Sequence, residues 1–436
     1  MVENHNTLLA RHVGAPLVHR VRTGHYFYSA LSLTLFLGCG GGSSGSTPST
    51  DAGSDNDSPT ASDSGSPNTS PGDDGATQQT MMTSDGGGST VSDDAGQTVI
   101  HVSDGAPPDG QWNSATANLA TLSSECGNMS TLSAKPDEDL LIAGIALDGL
   151  WASRDGGGSW TALGTGSGSA MITNRTSAIV YDPKTSTRFW ESGIYNGGGV
   201  YQTMNDGVTL TQLGNVAHSD LVSIDFSDAN RQTLLAGGHE ESQTLNRSAD
   251  GGMTWTNVGG GLPGQTNCVF PLVIDSQTHL VGCAGYGGGP TGIYRTINAG
   301  GTWTNVSTSG GNDAPLVASD SSIYWASPGG NGMARSTDHG QTWASAVGNG
   351  VITGVHPVEL PDGRIATVGP KYVMVSSDHG TTWSPASTAL PYTDAVGIVY
   401  SSQQKAFFIW HFSCGNPPLM VPADAIMRFN FDYTKN

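Results

Sequence analysis

The sequence is poor in charged residues, and above all in basic ones. Only 12% of the 436 residues are charged, and 17 Lys and Arg stand against 37 Asp and Glu, so that the formal net charge is −20. Nucleic-acid binding needs clustered Lys and Arg to attract phosphates, and the sequence contains no such cluster. We therefore expect no nucleic-acid partner.

The sequence also lacks a hydrophobic run long enough to cross a bilayer. Its apolar run at Tyr28–Leu37 is too short to span a membrane comfortably. Basic residues precede this run at Arg11, Arg20 and Arg22. A basic flank followed by a short apolar stretch is typical of an export signal, which we place at residues 1–39.

The export signal ends in Phe36-Leu37-Gly38-Cys39. This phrase resembles the lipobox of bacterial lipoproteins, with Phe in place of the usual Leu. The resemblance implies that Cys39 is lipidated and becomes the first mature residue, and Gly40 after it implies the outer membrane. An ordinary secretory signal is the alternative. In either case we expect an exported protein; where Cys39 is lipidated, the protein is held to the outer membrane or cell surface only through this lipid anchor.

The segment from residue 40 to residue 110 contains no Lys or Arg and very few large apolar residues. It consists mostly of Ser, Gly, Asp, Thr and Pro. Such a composition cannot bury enough apolar surface to offset the entropy lost on ordering. We therefore expect a flexible, acidic tether ahead of one large domain at residues 111–436.

That domain repeats an eight-residue phrase at intervals of roughly 40 to 50 residues, a period typical of propellers and similar repeat arrays. The six copies run over Ser153–Trp160, Thr203–Leu210, Ser248–Trp255, Thr296–Trp303, Ser336–Trp343 and Ser376–Trp383. Their third positions are Asp155, Asn205, Asp250, Asn298, Asp338 and Asp378.

Each copy has the residues of a tight turn. The Asp or Asn side chain accepts hydrogen bonds from nearby backbone N–H groups, and the Gly supplies a positive φ. The Trp offers a large apolar surface to fill the space between neighbouring sheets. We interpret these residues as structural rather than catalytic, and we expect looser packing at Leu210, where the Trp is missing.

The phrase resembles the Asp-box, or BNR, repeat of sialidase-like and sortilin-like β-propellers. The resemblance implies an all-β fold with the repeats between the third and fourth strand of each blade. Six copies do not limit the ring to six blades, because Ala395–Tyr400, Ala406–Phe412 and Ala425–Phe431 predict three further strands. The segment Gln111–Thr116 reads as an outer strand. We therefore predict a seven-bladed β-propeller whose N-terminal strand closes the last blade.

Four cysteines remain once Cys39 is set apart. An even number in an exported domain indicates disulfides. The predicted strands place Cys268 and Cys283 side by side in the fourth blade, and Cys126 and Cys414 near the ring closure. The pairs Cys126–Cys414 and Cys268–Cys283 are our hypothesis.

The ligand face of a propeller is formed by the loops between second and third strands and by the loops entering the inner strands. The first set holds Asp148, Tyr195, Asn196, His239, Glu240, Glu241, Tyr286, Asn331, Lys371 and His411. The second set holds Asn174, Arg175, His218, Asp220, Gln265, Asn267, Asp313, His356, Tyr392 and Asp394. We take His218, Asp220, His239, Glu240, His411 and Tyr195 as the candidate catalytic residues.

Three chemistries can be weighed on these residues. A classical sialidase is disfavoured, because Arg247, Arg295 and Arg335 sit just ahead of repeat turns and leave no arginine triad. A glycoside hydrolase needs two facing carboxylates, which Asp220, Glu240, Glu241, Asp313 and Asp394 can supply. A polysaccharide lyase needs a His or Tyr base and a cation, for which His218, His239, Tyr195, Tyr286, His411 and Arg175 are candidates.

These expectations favour a surface-tethered propeller that binds extracellular polysaccharide, with cleavage left open. The alternative is a non-catalytic propeller that binds a surface protein or serves assembly. We expect a monomer and no cofactor, with Ca²⁺ as the one ion that a structural or catalytic site could use.

Overall fold

The computed structural model describes residues 110–164, 169–284 and 288–435. The predicted signal, Cys39 and nearly all of the predicted tether lie outside these residues. Within them, the chain forms seven four-stranded antiparallel sheets arranged as a seven-bladed β-propeller. The prediction of an all-β fold is therefore confirmed.

We number the blades from 1 to 7 along the chain and their strands from the inside outward. The inner strands are Met129–Ala134, Arg175–Tyr181, Ser219–Ile224, Asn267–Val273, Leu316–Val317, Val358–Glu359 and Gly397–Ser401. The second strands are Leu141–Ile145, Phe189–Ile194, Leu234–Gly238, His279–Ala284, Ile323–Ala326, Ile365–Val368 and Ala406–Trp410.

The outer half of each blade follows the same order. The third strands are Gly149–Ser153, Gly199–Thr203, Leu245–Ser248, Gly292–Thr296, Asn331–Ser336, Val373–Ser376 and Ile426–Asn430. The outer strands are Thr161–Ala162, Thr211–Gln212, Thr256–Asn257, Thr304–Ser307, Ala344–Asn349, Ser384–Pro385 and Trp112–Ser114. The helices of the described residues are short 3₁₀ turns at Ala117–Thr121, Ser169–Met171, Gly259–Gly261 and Pro328–Gly330.

The ring closes as predicted. Trp112–Ser114 pairs antiparallel with the third strand of blade 7, with Trp112 opposite Phe429 and Ser114 opposite Met427. A small two-stranded sheet, Ser123–Ser124 with Leu419–Met420, adds a second link that the sequence did not predict. Both chain ends of the domain thus contribute to blade 7, which removes exposed sheet edges from the ring.

Hydrophobic clusters fill the space between each pair of successive blades, including the pair formed by blades 7 and 1. The aromatic residue of each repeat lies in the cluster shared with the preceding blade. Trp160 is 3% exposed in the first of these clusters, and its indole N–H donates to the Ala115 carbonyl at 2.9 Å.

Leu210 occupies the corresponding place between blades 1 and 2. It is 3% exposed, as deeply buried as Trp160, and packs with Leu163 and Tyr201. Leu210 is thus fully covered by its neighbours although the Trp is missing.

All six repeat turns share one hydrogen-bond pattern. In the fifth blade the Asp338 carboxylate accepts the Thr342 N–H at 2.9 Å and the Ser336 hydroxyl at 2.8 Å. The Gly340 N–H in turn donates to the Ser336 hydroxyl at 2.9 Å. Burial opposes ionisation, but the bonds from Thr342 and Ser336 hold the pKa of Asp338 at about 2. The carboxylates of the repeat turns are therefore occupied by hydrogen bonds within their own turns.

The turns at Asn205 and Asn298 form the same backbone bonds through an amide oxygen. We therefore expect Asp338→Asn, which keeps an acceptor but loses the charge, to lower the free energy of unfolding by less than Asp338→Ala, which lowers it by about 1–2 kcal/mol through lost hydrogen bonds. Urea unfolding of the two variants side by side checks this. Equal losses in both would contradict a hydrogen-bonding role for the carboxylate.

Both predicted disulfides are present. Cys126 is bonded to Cys414, and Cys268 is bonded to Cys283. The first joins the segment before blade 1 to the loop after the second strand of blade 7. The second links the first two strands of blade 4, where Cys268 lies directly opposite Cys283 in the register.

Candidate functional site

The loop face, formed by the two sets of loops defined above, lies opposite the repeat turns, because successive turns of an antiparallel blade alternate between its two ends. On this face, blades 2 and 3 bring three predicted residues together. His239 Nδ1 lies 3.0 Å from both oxygens of Asp220, and His239 Nε2 lies 2.9 Å from the Tyr195 hydroxyl. Since an ionised carboxylate only accepts, Nδ1–H donates to Asp220 and Nε2 accepts the Tyr195 proton.

Three further residues surround this chain of hydrogen bonds. Glu240 Oε1 lies 3.8 Å from His239 Nε2. The ring of His218 packs edge-on against Tyr195 at 5.4 Å between ring centroids. Arg175 lies over the Tyr195 ring, 5.0 Å from its centroid. We call Arg175, Tyr195, His218, Asp220, His239 and Glu240 the blade 2–3 cluster.

The backbone of this cluster is strained. Tyr195, His218 and Glu240 adopt φ values of 56°, 52° and 56°, and Asn196 adopts 40°. These left-handed conformations are unfavourable for residues other than glycine, and they persist only where the surroundings enforce them. Backbone strain concentrates at functional sites, so this clustering supports a site at blades 2 and 3.

The electrostatics of the cluster shift the pKa values of Asp220 and Tyr195 upward. Burial raises the pKa of Asp220, the hydrogen bond and charge of His239 oppose this, and the nearby carboxylates of Glu240 and Asp313 add to the rise. Burial likewise raises the pKa of Tyr195, and the charge of Glu240 adds to the effect. Tyr195 is therefore a hydroxyl that donates a proton, and not a phenolate, at neutral pH.

Accessibility divides the cluster into inner and outer groups. The side chains of His239 and Asp220 are 12% and 17% exposed, whereas that of Glu240 is 35% exposed. Asp313, at the entrance to blade 5, accepts backbone N–H groups from Ala314 and His356. A ligand on the loop face would reach Glu240 and Tyr195 before the buried Asp220.

His411 belongs to a different cluster. It stacks on Tyr392 at 4.1 Å, and its two ring nitrogens lie 3.3 Å from Asp394 and 3.4 Å from Asp424. We call these four residues the blade 7 cluster. Burial raises the pKa of Tyr392, whose hydroxyl is buried without a hydrogen-bond partner among the described residues.

Among the described residues, no side-chain hydrogen bond or ion pair joins the other predicted loop residues to the blade 2–3 cluster or to the blade 7 cluster. Burial raises the pKa of Asp148, Glu241 is exposed, and Asn331 begins a third strand instead of lying before it. The amide of Asn196 donates to Glu125 at 2.7 Å. Tyr286 lies outside the described residues. The three arginines just ahead of repeat turns lie in third strands, as predicted: Arg247, Arg295 and Arg335.

Two acids of interest were missed. Asp424 lies in the last loop, one residue before the predicted strand at Ala425. Glu191 lies in the second strand of blade 2 and is 0% exposed. Burial raises its pKa to about 8. A charged residue between apolar neighbours, Phe189-Trp190 before it and Ile194 after it, was the signal that could have identified Glu191.

The described residues contain no group of three or more His, Cys, Asp or Glu side chains arranged to hold a metal ion. Among these same residues, no helix has the length and apolar character needed to cross a membrane.

Comparison with known proteins gives distant similarities. No family model matches the sequence. A xyloglucanase from Paenibacillus sp. is 23% identical over 247 residues, which are 52% of this chain and 21% of the relative. The GH74 enzyme of Niastella koreensis aligns with a TM-score of 0.50 at 16% identity, covering 71% of this chain and 55% of that one.

A smaller propeller is similar over nearly its whole length. YCF48 from Cyanidioschyzon merolae aligns with a TM-score of 0.45 at 14% identity, covering 73% of this chain and 98% of that one. At such identities structural similarity reports the fold alone. The chain spans about a fifth of the curated relative and about half of the GH74 structure.

Proposed function

We propose that this propeller binds an extracellular polysaccharide on its loop face and hydrolyses it at the blade 2–3 cluster. The observation that carries the proposal is the hydrogen-bonded chain Asp220–His239–Tyr195, set beside the more exposed carboxylate of Glu240. The sequence similarity to a xyloglucanase supports the same class of reaction.

The charge of the cluster indicates a neutral polysaccharide. Asp220, Glu240 and the neighbouring Asp313 outnumber the one arginine, Arg175, and the whole chain carries a net charge of −20. A uronate polymer would meet like charge at this site and overall repulsion on approach. Tyr195 is moreover protonated at neutral pH and is a poor base for the proton abstraction that a lyase performs.

Proton delivery to the leaving sugar runs through Tyr195. When His239 is protonated, its Nδ1–H bonds Asp220 and its Nε2–H bonds the Tyr195 oxygen. As the glycosidic bond breaks, Tyr195 gives its proton to the leaving oxygen and takes the Nε2 proton of His239. Asp220 stabilises the imidazolium before this transfer, as a buried carboxylate beside a catalytic histidine does in hydrolases.

Glu240 activates water. Its Oε1 lies 3.8 Å from His239 Nε2, the nitrogen that the Tyr195 hydroxyl contacts at 2.9 Å. The base that activates water and the acid that protonates the leaving group therefore lie beside the same imidazole.

A polysaccharide panel tests the proposal with the purified full-length chain. Xyloglucan, other neutral glucans and uronate polymers are each incubated with protein, and new reducing ends are counted. We expect reducing ends from a neutral polymer and no unsaturated uronate from any polymer. Release of unsaturated products would establish a lyase instead. If no polymer is bound or cut, the alternative function of docking a surface protein replaces hydrolysis.

The location of the protein is a separate proposal. Residues 1–39 are proposed to export the chain and to lipidate it at Cys39, and residues 40–110 to tether the propeller at the cell surface. The basic residues Arg11, Arg20 and Arg22, the apolar run Tyr28–Leu37 and the lipobox-like phrase ending at Cys39 support this layout. Metabolic labelling with a fatty acid, lost in Cys39→Ala and retained in Cys414→Ala, is the expected result.

A further inference from the structure

The ring-closing disulfide lies beside the blade 2–3 cluster. Cys126, bonded to Cys414, belongs to the segment 125–128 that precedes blade 1. The Gly127 N–H donates to the Ser413 carbonyl at 2.9 Å, and the Asn128 amide donates to the Met420 carbonyl at 2.9 Å. One covalent bond and several hydrogen bonds therefore hold this segment to blade 7.

Arg175 connects the segment to Tyr195. Its guanidinium donates to the Cys126 carbonyl and lies over the Tyr195 ring at 5.0 Å. Gly127 makes room for it: a Cβ at this position would lie 2.6 Å from Arg175 Nε, and the φ of +75° also favours glycine. The side chain of Arg175 is thus enclosed by the disulfide segment on one side and by Tyr195 on the other.

A second contact reaches the neighbouring residue. Glu125, directly before Cys126, accepts the Asn196 amide at 2.7 Å. Tyr195 and Asn196 are both left-handed, so their turn needs outside contacts to keep its conformation. Arg175, which is bonded to the segment, contacts Tyr195, and Glu125 within the segment contacts Asn196.

We infer that Arg175 is a positioning residue, through which the Cys126–Cys414 disulfide holds Tyr195 in hydrogen-bonding reach of His239. The inference rests on the proposed function, in which Tyr195 is the proton donor. Arg175 acts on the protein's own groups and is not assigned to substrate.

The test compares Arg175→Gln, Arg175→Lys and Cys126→Ser/Cys414→Ser in the full-length chain. We expect Arg175→Gln and the double variant to lower polysaccharide turnover by about 10- to 100-fold, the range for a misplaced reacting group. Arg175→Lys should recover part of this loss. In parallel, the ¹⁵N shifts of the His239 ring, measured by NMR without substrate, should report loss of the bond from Tyr195.

Cys268→Ser/Cys283→Ser is the matched control, because it removes the other disulfide, whose Cα–Cα distance is 3.9 Å against 4.0 Å, from blade 4 only. We expect it to keep turnover within two-fold and to leave the His239 shifts unchanged. Unchanged His239 shifts in a folded Arg175→Gln would overturn the inference, even if no substrate were ever cleaved. Should the Cys126 variant not fold, Arg175→Gln decides the question alone.

Discussion

An Asp220→Asn variant is expected to lose roughly 10²–10⁴-fold of the rate of polysaccharide cleavage, the usual contribution of general acid catalysis. Asparagine keeps the size of the side chain but removes the charge that stabilises the His239 imidazolium. Initial rates of reducing-end formation by the two proteins measure the effect.

Asp394→Asn is the control for this prediction. Asp394 contacts His411 Nδ1 at 3.3 Å in the blade 7 cluster, in the same manner as Asp220 contacts His239. No described contact joins the blade 7 cluster to Tyr195. We expect Asp394→Asn to keep the rate within a few fold, and a loss equal to that of Asp220→Asn would move the reacting centre to blade 7.

A Glu191→Gln variant is expected to be more stable than the unaltered protein at alkaline pH. Burial raises the pKa of Glu191 in the folded state to about 8, from an ordinary value of 4.5. The folded state therefore retains a proton that the unfolded state releases. Stability from this group is complete below pH 4.5 and is lost as the pH rises through 8, by about 4–5 kcal/mol in total.

Glutamine stays neutral at every pH and avoids this loss. The two proteins should have similar free energies of unfolding near pH 4.5. At pH 9 the free energy of unfolding of the variant should be higher by several kcal/mol. Urea unfolding at both pH values measures the difference. Glu241→Gln, at an exposed position of the loop face, should change stability little at either pH. Parallel pH dependences for Glu191→Gln and the unaltered protein would contradict a proton held at Glu191.

Much of the fold could be predicted because its information is local and repeated. Each copy of the repeat carries its own turn residues, and its Trp or Leu marks the boundary with the preceding blade. The predicted blade 7 had three strands and no outer strand, so the strand at Gln111–Thr116 could be placed beside its third strand. Strand pairing placed Cys268 beside Cys283, and the ring closure placed Cys126 near Cys414, so both disulfides could be proposed.

The candidate site was predictable only to the level of which loops share a face. Repeat alignment grouped Tyr195, Asp220 and His239 correctly, because each lies within two residues of a strand end. It could not separate His411 from them, since the side chains that meet depend on the conformations of particular loops. Tyr195 and His218 adopt left-handed conformations without being glycine, so their residue types did not indicate these turns. Glu191 escaped notice because burial of an acid depends on the neighbouring blade.

Closure by the N-terminal strand has a mechanical consequence. Any pull that reaches the domain through residue 110 acts first on Trp112–Ser114, a strand with only three paired residues. Peeling this strand would open blade 7 and expose its edge. The 3₁₀ turn Ala117–Thr121 and the pairing of Ser123–Ser124 with Leu419–Met420 come next, and the Cys126–Cys414 bond, which joins positions 288 residues apart, then takes up the load. A pull from the N-terminal side would therefore displace only the segment ahead of Cys126 before it met a covalent bond.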